Sequence, residues 1–303
     1  MSEKLKGLWP ALFTPVDEHG ELNAKELEKL IELLIAQEVD GLYLLGSTGQ
    51  GFLFNEKERK EIADIAIQIT NKRLPVMVQV GSLSTDESVR LAKHATQAGA
   101  DAISSVGPIY YGASEEMAFE HYKKIAGATT LPFFPYQIGK AATGGLIKKL
   151  MGIENIIGMK LTTVNLLEIS SVHGASVEKG WQLFSGADEL MCHASLCGTA
   201  GAIGTTYNLL GSTCKLVRQE FLNGQVMLGT EFMLALQNLI EEIIPVIWTF
   251  FRRAMILKHN IDIGNAKAPL LTPPLKWTDA QVLERVNELE HIANKMKQMV
   301  EHN

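Results

Sequence analysis

One lysine lies inside an apolar stretch of this chain. In the segment NIIGMKLTT (155–163), Lys160 is surrounded by isoleucine, methionine and leucine, a composition typical of a buried strand. Burial in apolar surroundings lowers the pKa of a lysine from about 10.4 towards neutrality. The neutral amine is the nucleophile that forms a Schiff base with a ketone. A structural ion pair with a buried carboxylate explains such a lysine equally well, so the pattern leaves both interpretations open.

A glycine-rich loop is a second candidate site. The segment GSTGQG (46–51) follows an apolar run, and Ser47, Thr48 and the backbone amides around them could bind a carboxylate or a phosphate. The segment matches neither the dinucleotide-binding pattern nor the phosphate-loop pattern, so a nucleotide is not expected. An ordinary tight turn is the competing interpretation.

Three tyrosines end apolar runs or follow them. A phenol at the position of Tyr136 can transfer a proton between a substrate and water. Tyr110 and Tyr111, in the segment IYYG, could pack, insert into a neighbouring subunit or line the mouth of a site. A core aromatic with a satisfied hydroxyl is the ordinary role of a tyrosine at a strand end.

Acidic and hydroxyl side chains follow the last two apolar runs. Asp188 and Glu189 in SGADE (185–189) open the next helix, where capping and the helix dipole explain them without function. Thr205, in GTTYN (204–208), is equally ambiguous. No cluster of His, Asp and Glu recurs at ligand spacing, so the sequence predicts no metal site.

All these side chains follow short apolar runs that alternate with stretches of helical periodicity. Eight such runs, each followed by a helix, predict a (β/α)8 TIM barrel, in which the carboxyl ends of the strands carry the functional residues. An open doubly wound sheet is the competing fold, but it gives no reason to stop at eight. The predicted strands begin near residues 7, 41, 75, 102, 131, 156, 181 and 201.

The predicted helices between the strands start at residues able to cap them. The first four span 23–37, 55–70, 84–98 and 114–128, and each opens on an asparagine or a serine.

The chain beyond residue 224 is predicted to be helical. We therefore expect a (β/α)8 barrel with the active site over 1–224 and a C-terminal helical extension over 225–303. The last helix begins with a capping box formed by Thr278 and Gln281. Its apolar stripe comprises Val282, Val286, Leu289, Ile292 and Met296.

Composition restricts the kind of partner. The 303 residues carry a net charge of −6, which gives no electrostatic support for nucleic-acid binding and favours a small-molecule ligand. Three cysteines without CxxC spacing and the lack of a secretory signal predict a reduced, cytoplasmic location. The most apolar segment, 239–251, is interrupted by Glu241 and Glu242, so we expect a buried helix there and no membrane span.

Taken in order, the strand ends resemble one enzyme family over essentially the whole chain. The matching segments are GSTG, VGPIYY, a Tyr that closes strand five, GMKLT, SGADE and GAIGTTYN. They resemble the pyruvate-dependent class I aldolases of the N-acetylneuraminate lyase and dihydrodipicolinate synthase family.

The resemblance implies a role for each matched residue. Lys160 would form the Schiff base, Tyr136 would carry protons, and Tyr110 would reach into a neighbouring subunit's site. Ser47 and Thr48 would bind the carboxylate of a 2-keto acid. The substrate tail would contact Thr162, Gly186, Asp188, Glu189 and Thr205. The family implies a homotetramer built as a dimer of dimers, with no metal and no organic cofactor, since the lysine imine with pyruvate supplies the chemistry.

Within that family, the residues favour a lyase of N-acetylneuraminate. Dihydrodipicolinate synthases place an arginine after the strand-five tyrosine, whereas this chain has YQIGKAATGG, in which Lys140 is the basic residue. Two further departures are Gln50, where the family has Glu, and Gly139, where it has Pro. The alternatives are a dihydrodipicolinate synthase, an aldolase of 2-keto-3-deoxygluconate type, and, in another class, a keto-acid-binding protein without turnover.

Overall fold

The strands of the protein form a parallel barrel. The computed structural model describes residues 5–111, 114–139 and 143–301, with side chains to residue 299. The strands are β1 (Gly7–Pro10), β2 (Leu42–Leu44), β3 (Val76–Gln79), β4 (Ala102–Val106), β5 (Phe133–Ile138), β6 (Gly158–Thr162), β7 (Gln182–Ser185) and β8 (Gly201–Gly204).

Each strand pairs in parallel with its neighbour in the sequence, and β8 returns to pair with β1. A parallel bridge between Ala11 and Tyr43 closes the remaining gap between β1 and β2, where Leu12 N–H donates to the Tyr43 carbonyl at 2.9 Å. The predicted (β/α)8 TIM barrel is thus confirmed.

The helices alternate with the strands around the outside. They are α1 (Ala24–Ala36), α2 (Glu56–Thr70), α3 (Thr85–Ala98), α4 (Glu115–Ala126), α5 (Gly144–Leu150), α6 (Leu166–Ser176), α7 (Met191–Leu196) and α8 (Tyr207–Leu222). After them come α9 (Val226–Ile243), α10 (Ile247–His259) and α11 (Asp279–Glu301).

Most of the expected caps are present. The side chain of Asn23 accepts from Glu26 N–H, and Asn55 forms a reciprocal capping box with Glu58. Ser84 precedes α3 as expected, but its side chain makes no capping hydrogen bond.

Alternation along the strands divides the apolar residues into two cores. Residues that point outwards pack under the helices, whereas those that point inwards fill the barrel. The inner core consists of Leu5, Trp9, Ala11, Tyr43, Met77, Ala102, Phe134, Phe184 and Ile203. Lys160 has inward-facing register partners on both sides, Tyr136 in β5 and Phe184 in β7, so it points into the barrel.

The C-terminal helices pack on α8 and on one another. The stripe predicted for α11 is buried along its whole length. Its capping box is formed, with Thr278 N–H donating to Gln281 Oε1 at 2.9 Å. The division of the chain at residue 224, which falls between α8 and α9, stays a prediction about folding units.

One expectation for this region is wrong. Residues 239–251 do not form one buried helix, because α9 ends at Ile243 and Ile244–Val246 form a 3-10 turn that contains Pro245. Ile244 is 59% exposed, so the segment is also only partly buried. By length and composition alone, Val226–His259 would pass as a membrane span, a test that helices of soluble proteins also pass.

Candidate active site

Lys160 lies at the centre of the candidate site. It is buried within the barrel, and its Nζ lies 4.3 Å from the ring centroids of both Tyr43 and Tyr136. Loss of hydration on burial lowers the pKa of Lys160 to about 7, while the carboxylate of Asp188 acts in the opposite direction. At neutral pH a large fraction of this amine is therefore unprotonated and nucleophilic.

Tyr136 lies next to the lysine on β5. Its hydroxyl is 3.0 Å from Thr162 Oγ1, so a proton can pass between the two oxygens. Burial raises the pKa of the Tyr136 phenol, and the Thr162 hydrogen bond offsets part of that rise. The phenol therefore stays protonated at neutral pH and can donate a hydrogen bond or a proton.

The loop after β2 is held in a conformation that exposes one hydroxyl and buries the other. Ser47 is exposed, whereas Thr48 is buried with its Oγ1 2.7 Å from Thr205 Oγ1. Leu45 and Gln50 both have left-handed backbone angles, with φ of 59° and 54°. Strained residues of this kind persist where the surrounding structure holds them.

The two departures from the family pattern have structural explanations. Gln50 Oε1 accepts from Lys267 N–H at 2.7 Å, which attaches the loop after β2 to the segment before α11. Gly139 has φ of +73°, a value closed to proline. Lys140 lies outside the described residues.

Asp188, in the turn after β7, is buried, and its charge acts on Lys160. One of its oxygens accepts from Thr206 N–H at 2.7 Å, and a Cβ on Gly204 would lie 1.8 Å from the other. The carboxylate can approach β8 so closely only because residue 204 is glycine. Burial raises the pKa of Asp188, while Lys160 and Thr206 lower it.

Two cavities open at the carboxyl ends of the strands, separated by Ile138. The first, of about 370 Å³, is largely apolar and is lined by Ser47, Phe52, Gln79, Leu83, Val106, Ile109, Tyr136 and Ile138. The second, of about 420 Å³, is lined by polar residues, which are Thr162, Thr163, Asp188, Glu189, Thr205 and Thr206, and by Gly186. Its lining also includes the apolar side chains of Ile240, Ile243, Ile247 and Phe251.

The barrel end opposite to the lysine has a cavity of about 510 Å³ among Lys6, Asp40, Lys72, Arg73 and Asp101. Its charged groups are largely tied to one another or to strand backbones, as in the ion pair of Lys72 with Asp101. In such barrels this end serves stability, so we place the chemistry at the carboxyl ends.

The structure brings together nine of the ten predicted site residues. Lys160, Tyr136 and the predicted carboxylate- and tail-binding residues all lie at the carboxyl ends of the strands. Tyr110 differs, because it is 80% exposed on the loop after β4 and lines neither cavity of its own chain. Its role in a neighbouring subunit stays a prediction.

Sequence reasoning missed three groups at the site. Tyr43 faces the lysine from the middle of β2. In the sequence, its place between Leu42 and Leu44, which point outwards, was the signal that it points into the barrel. Gln79 is buried in the first cavity, where its Nε2 has no hydrogen-bond partner among the described residues. The backbone of Thr206 fixes Asp188, a contact that no sequence pattern indicates.

Solved structures share this architecture. An N-acetylneuraminate lyase from Fusobacterium nucleatum is 29% identical, with a TM-score of 0.84 over 95% of this chain and 98% of that chain. An Escherichia coli prophage protein of the dihydrodipicolinic acid synthase family, in complex with pyruvate, is 26% identical, with a TM-score of 0.86 over 94% of this chain and 99% of that chain. A catalytic lysine mutant of the Ruminococcus gnavus sialic acid aldolase, at 23% identity, has a TM-score of 0.88 with 98% of both chains covered.

A barrel that buries a lysine of lowered pKa beside a tyrosine is suited to a class I aldolase, an enzyme that cleaves carbon–carbon bonds through a lysine imine. The family model places the chain more narrowly. The protein belongs to the dihydrodipicolinate synthetase family, whose model matches residues 4–287. It is a pyruvate-dependent class I aldolase, and the resemblance expected from the sequence is confirmed.

Proposed function

We propose that the protein cleaves N-acetylneuraminate, a 2-keto-3-deoxy sugar acid, to pyruvate and N-acetylmannosamine, with Lys160 as the Schiff-base residue. The observation that carries the proposal is the buried Lys160 amine, whose pKa of about 7 leaves it nucleophilic beside the Tyr136 hydroxyl. No metal and no organic cofactor enters this proposal, because the imine itself supplies the electron sink.

The reaction begins with attack of the Lys160 amine on the C2 ketone. Water leaves the resulting carbinolamine, and an iminium remains. Loss of the proton from the C4 hydroxyl lets the C3–C4 bond break, and its electron pair moves into an enamine that neutralises the iminium. The aldehyde leaves. Protonation of the enamine at C3 and addition of water then release pyruvate and restore the amine.

Tyr136 carries the protons in this scheme. Because its phenol is protonated at neutral pH, it relays a proton between the substrate and a neighbouring oxygen and does not act as a standing base. Thr162 Oγ1, at 3.0 Å, is one neighbour that can take part. The substrate carboxylate is the other.

The rest of the substrate is assigned to the loop after β2 and to the second cavity. Ser47, Thr48 and the amides of their loop bind the keto-acid carboxylate. Thr162, Gly186, Asp188, Glu189 and Thr205 contact the polyhydroxyl tail, since carboxylate and hydroxyl oxygens suit sugar hydroxyls. The apolar side chains of the same cavity contact the carbon atoms of the sugar tail.

Support for this sugar acid over others comes from relatives and from the strand-five segment. The Fusobacterium nucleatum structure is that of an N-acetylneuraminate lyase, and the Escherichia coli structure is a complex with pyruvate. No arginine follows Tyr136 in the segment where the synthases carry one. Aldolases of 2-keto-3-deoxygluconate share the keto-acid half of the reaction and remain the nearest rivals.

We also propose a homotetramer, built as a dimer of dimers, in the cytoplasm. Tyr110 and Tyr111 project from the loop after β4 with 80% and 72% exposure, and the largely apolar first cavity lies beside that loop. Insertion of the partner's tyrosine into this cavity would cover both apolar surfaces. The free state of Cys192, Cys197 and Cys214 suits a reducing compartment.

The first experiment traps the imine. Borohydride reduction in the presence of pyruvate, followed by peptide mass analysis, is expected to give a pyruvyl adduct on the peptide that contains Lys160. Lys160→Ala should abolish the adduct, whereas Lys25→Ala, at an exposed helix position, should leave it unchanged. Reversible pyruvate binding without any adduct would contradict the aldolase and support the binding protein.

The second experiment identifies the substrate. Release of pyruvate is compared for N-acetylneuraminate and 2-keto-3-deoxygluconate, and condensation of pyruvate with aspartate semialdehyde is measured alongside. We expect kcat/KM to be highest for N-acetylneuraminate. A higher value for the deoxygluconate, or efficient condensation, would reassign the substrate and leave the Lys160 chemistry in place.

A further inference from the structure

A second aromatic ring faces the reactive lysine from the interior of the barrel. Tyr43, in β2, is completely buried, and Lys160 Nζ lies 4.3 Å from its ring centroid. The Tyr43 hydroxyl donates to Ser104 Oγ at 3.3 Å, away from the lysine. Tyr43 therefore offers the lysine its ring face and not its oxygen.

The proposed reaction suggests a catalytic role for this contact. A lysine can shed its proton when burial disfavours charge, but the iminium formed on the same nitrogen stays positive until the C3–C4 bond breaks. The electron sink must therefore be a cation in a site from which water is largely excluded. The negative face of an aromatic ring attracts such a cation most strongly when both are desolvated.

We infer that the ring of Tyr43 stabilises the positive charge that the reaction places on the Lys160 nitrogen. The inference rests on the proposed function, since it concerns the imine at that site. The rings of Tyr43 and Tyr136 then have different roles. Tyr136 also contacts the nitrogen with its ring, but it additionally carries protons through its hydroxyl, whereas Tyr43 acts through its ring alone.

Variants at residue 43 test the ring separately from the hydroxyl. Tyr43→Phe keeps the ring, and we expect kcat/KM within about threefold of the unmodified enzyme. Tyr43→Leu removes the ring, and we expect kcat/KM to fall about thirtyfold, the factor that corresponds to a desolvated cation–π contact.

A structural effect of Tyr43→Leu would have a different signature. Among the titratable groups of the described residues, the Tyr43 and Tyr136 rings contact Lys160 and the charge of Asp188 acts on it, and the two phenols stay neutral because burial raises their pKa values. Loss of the ring removes an attraction for the cation and should lower the pKa of Lys160 below about 7. Entry of water into a disrupted core would hydrate the cation and raise that pKa. The pH dependence of borohydride trapping with pyruvate measures the direction.

Incorporation of 3,4,5-trifluorophenylalanine at position 43 provides a test if Tyr43→Leu fails to fold. The fluorines withdraw electron density from the ring face with little change of shape relative to Phe. We expect kcat/KM to lie about threefold to tenfold below that of Tyr43→Phe. Equal rates for the two rings, or a raised pKa in Tyr43→Leu, would overturn this inference.

The proposed function has its own control in the same experiment. If the unmodified enzyme gives no pyruvyl adduct, the Schiff-base proposal fails. If it gives the adduct but the ring variants behave alike, only the role of Tyr43 is wrong.

Discussion

At the scale of single residues, the site depends on a lysine whose pKa is lowered by burial in the fold. Burial of this lysine affects the stability of the fold as well as catalysis. An unfolded chain binds the Lys160 proton with a pKa near 10.5, whereas the folded chain binds it with a pKa of about 7. The unfolded state therefore holds more protons between these two pH values, and stability rises with pH across that window.

Replacement of the lysine should accordingly stabilise the protein. We expect Lys160→Met to raise the free energy of unfolding at pH 7 by about 4 kcal/mol, because folding lowers the lysine pKa from 10.5 to about 7 and each pKa unit corresponds to about 1.4 kcal/mol. The gain should shrink as pH rises from about 7 towards 10.5. Urea unfolding of both proteins at several pH values measures it, with Lys25→Met as the exposed control. A difference that does not change with pH would show that the folded lysine is not desolvated.

Gly204 is a second residue on which the charge arrangement depends. A Cβ at this position would lie 1.8 Å from an oxygen of Asp188, so Gly204→Ala must displace the carboxylate that faces Lys160. We expect kcat/KM to fall at least tenfold and stability to fall by about 1–3 kcal/mol. Gly174→Ala is the matched control, because nothing lies within 4 Å of its added methyl and alanine favours the helix. Unchanged activity in Gly204→Ala would mean that Asp188 has no part in the site.

At the scale of elements, the sequence predicted the repeating strands and helices but not the breaks and long-range contacts between them. The alternation of short apolar runs with capped helical stretches predicted the barrel, because burial of strands and satisfaction of helix ends are local requirements. Lys160 and Tyr136 followed from the same reasoning, since neighbouring strand ends meet in a parallel barrel. The break at Ile244–Val246 was missed, although Pro245 marked it. The contact of Tyr43 with Lys160 joins β2 to β6, and no local pattern specifies such a pair.

The hydrogen bond of Gln50 illustrates a connection of this kind. It links the loop after β2 to Lys267, 217 residues later, and so supports the loop assigned to the substrate carboxylate. We expect Gln50→Met to raise the KM for pyruvate release about tenfold with little change in kcat, because the partly buried Lys267 N–H loses its acceptor. Gln50→Glu keeps an acceptor oxygen and should change KM less than about threefold.

Steady-state kinetics of the two Gln50 variants distinguish support of the loop from a direct role in chemistry. A fall in kcat with an unchanged KM in Gln50→Met would contradict the structural role. A strong effect of Gln50→Glu would show that the neutral amide itself is required, and that the family's Glu is not equivalent in this chain.

At the scale of the whole molecule, the described surface leaves apolar side chains exposed near the site. Leu83, Ile109, Tyr110 and Tyr111 are between 50% and 80% exposed around the mouth of the first cavity. A patch of this kind beside a cavity is typical of a subunit interface. Under the proposed assembly, each site is completed by the partner's Tyr110, and we therefore expect Tyr110→Ala to lower both kcat and the dimer population seen by light scattering.

Complementation between two variants that each lack one group of the site tests the exchange of this tyrosine directly. Tyr110→Ala keeps Lys160, and Lys160→Ala keeps Tyr110, so a mixed dimer contains one site with both groups only if the tyrosine acts across the interface. Random reassociation makes about half of the dimers mixed, and each has one intact site of two, so about one quarter of the unmodified activity should return. If Tyr110 served the site of its own chain, no mixed dimer would hold a complete site and the mixture would stay inactive. Recovered activity would thus require that the catalytic unit is at least a dimer.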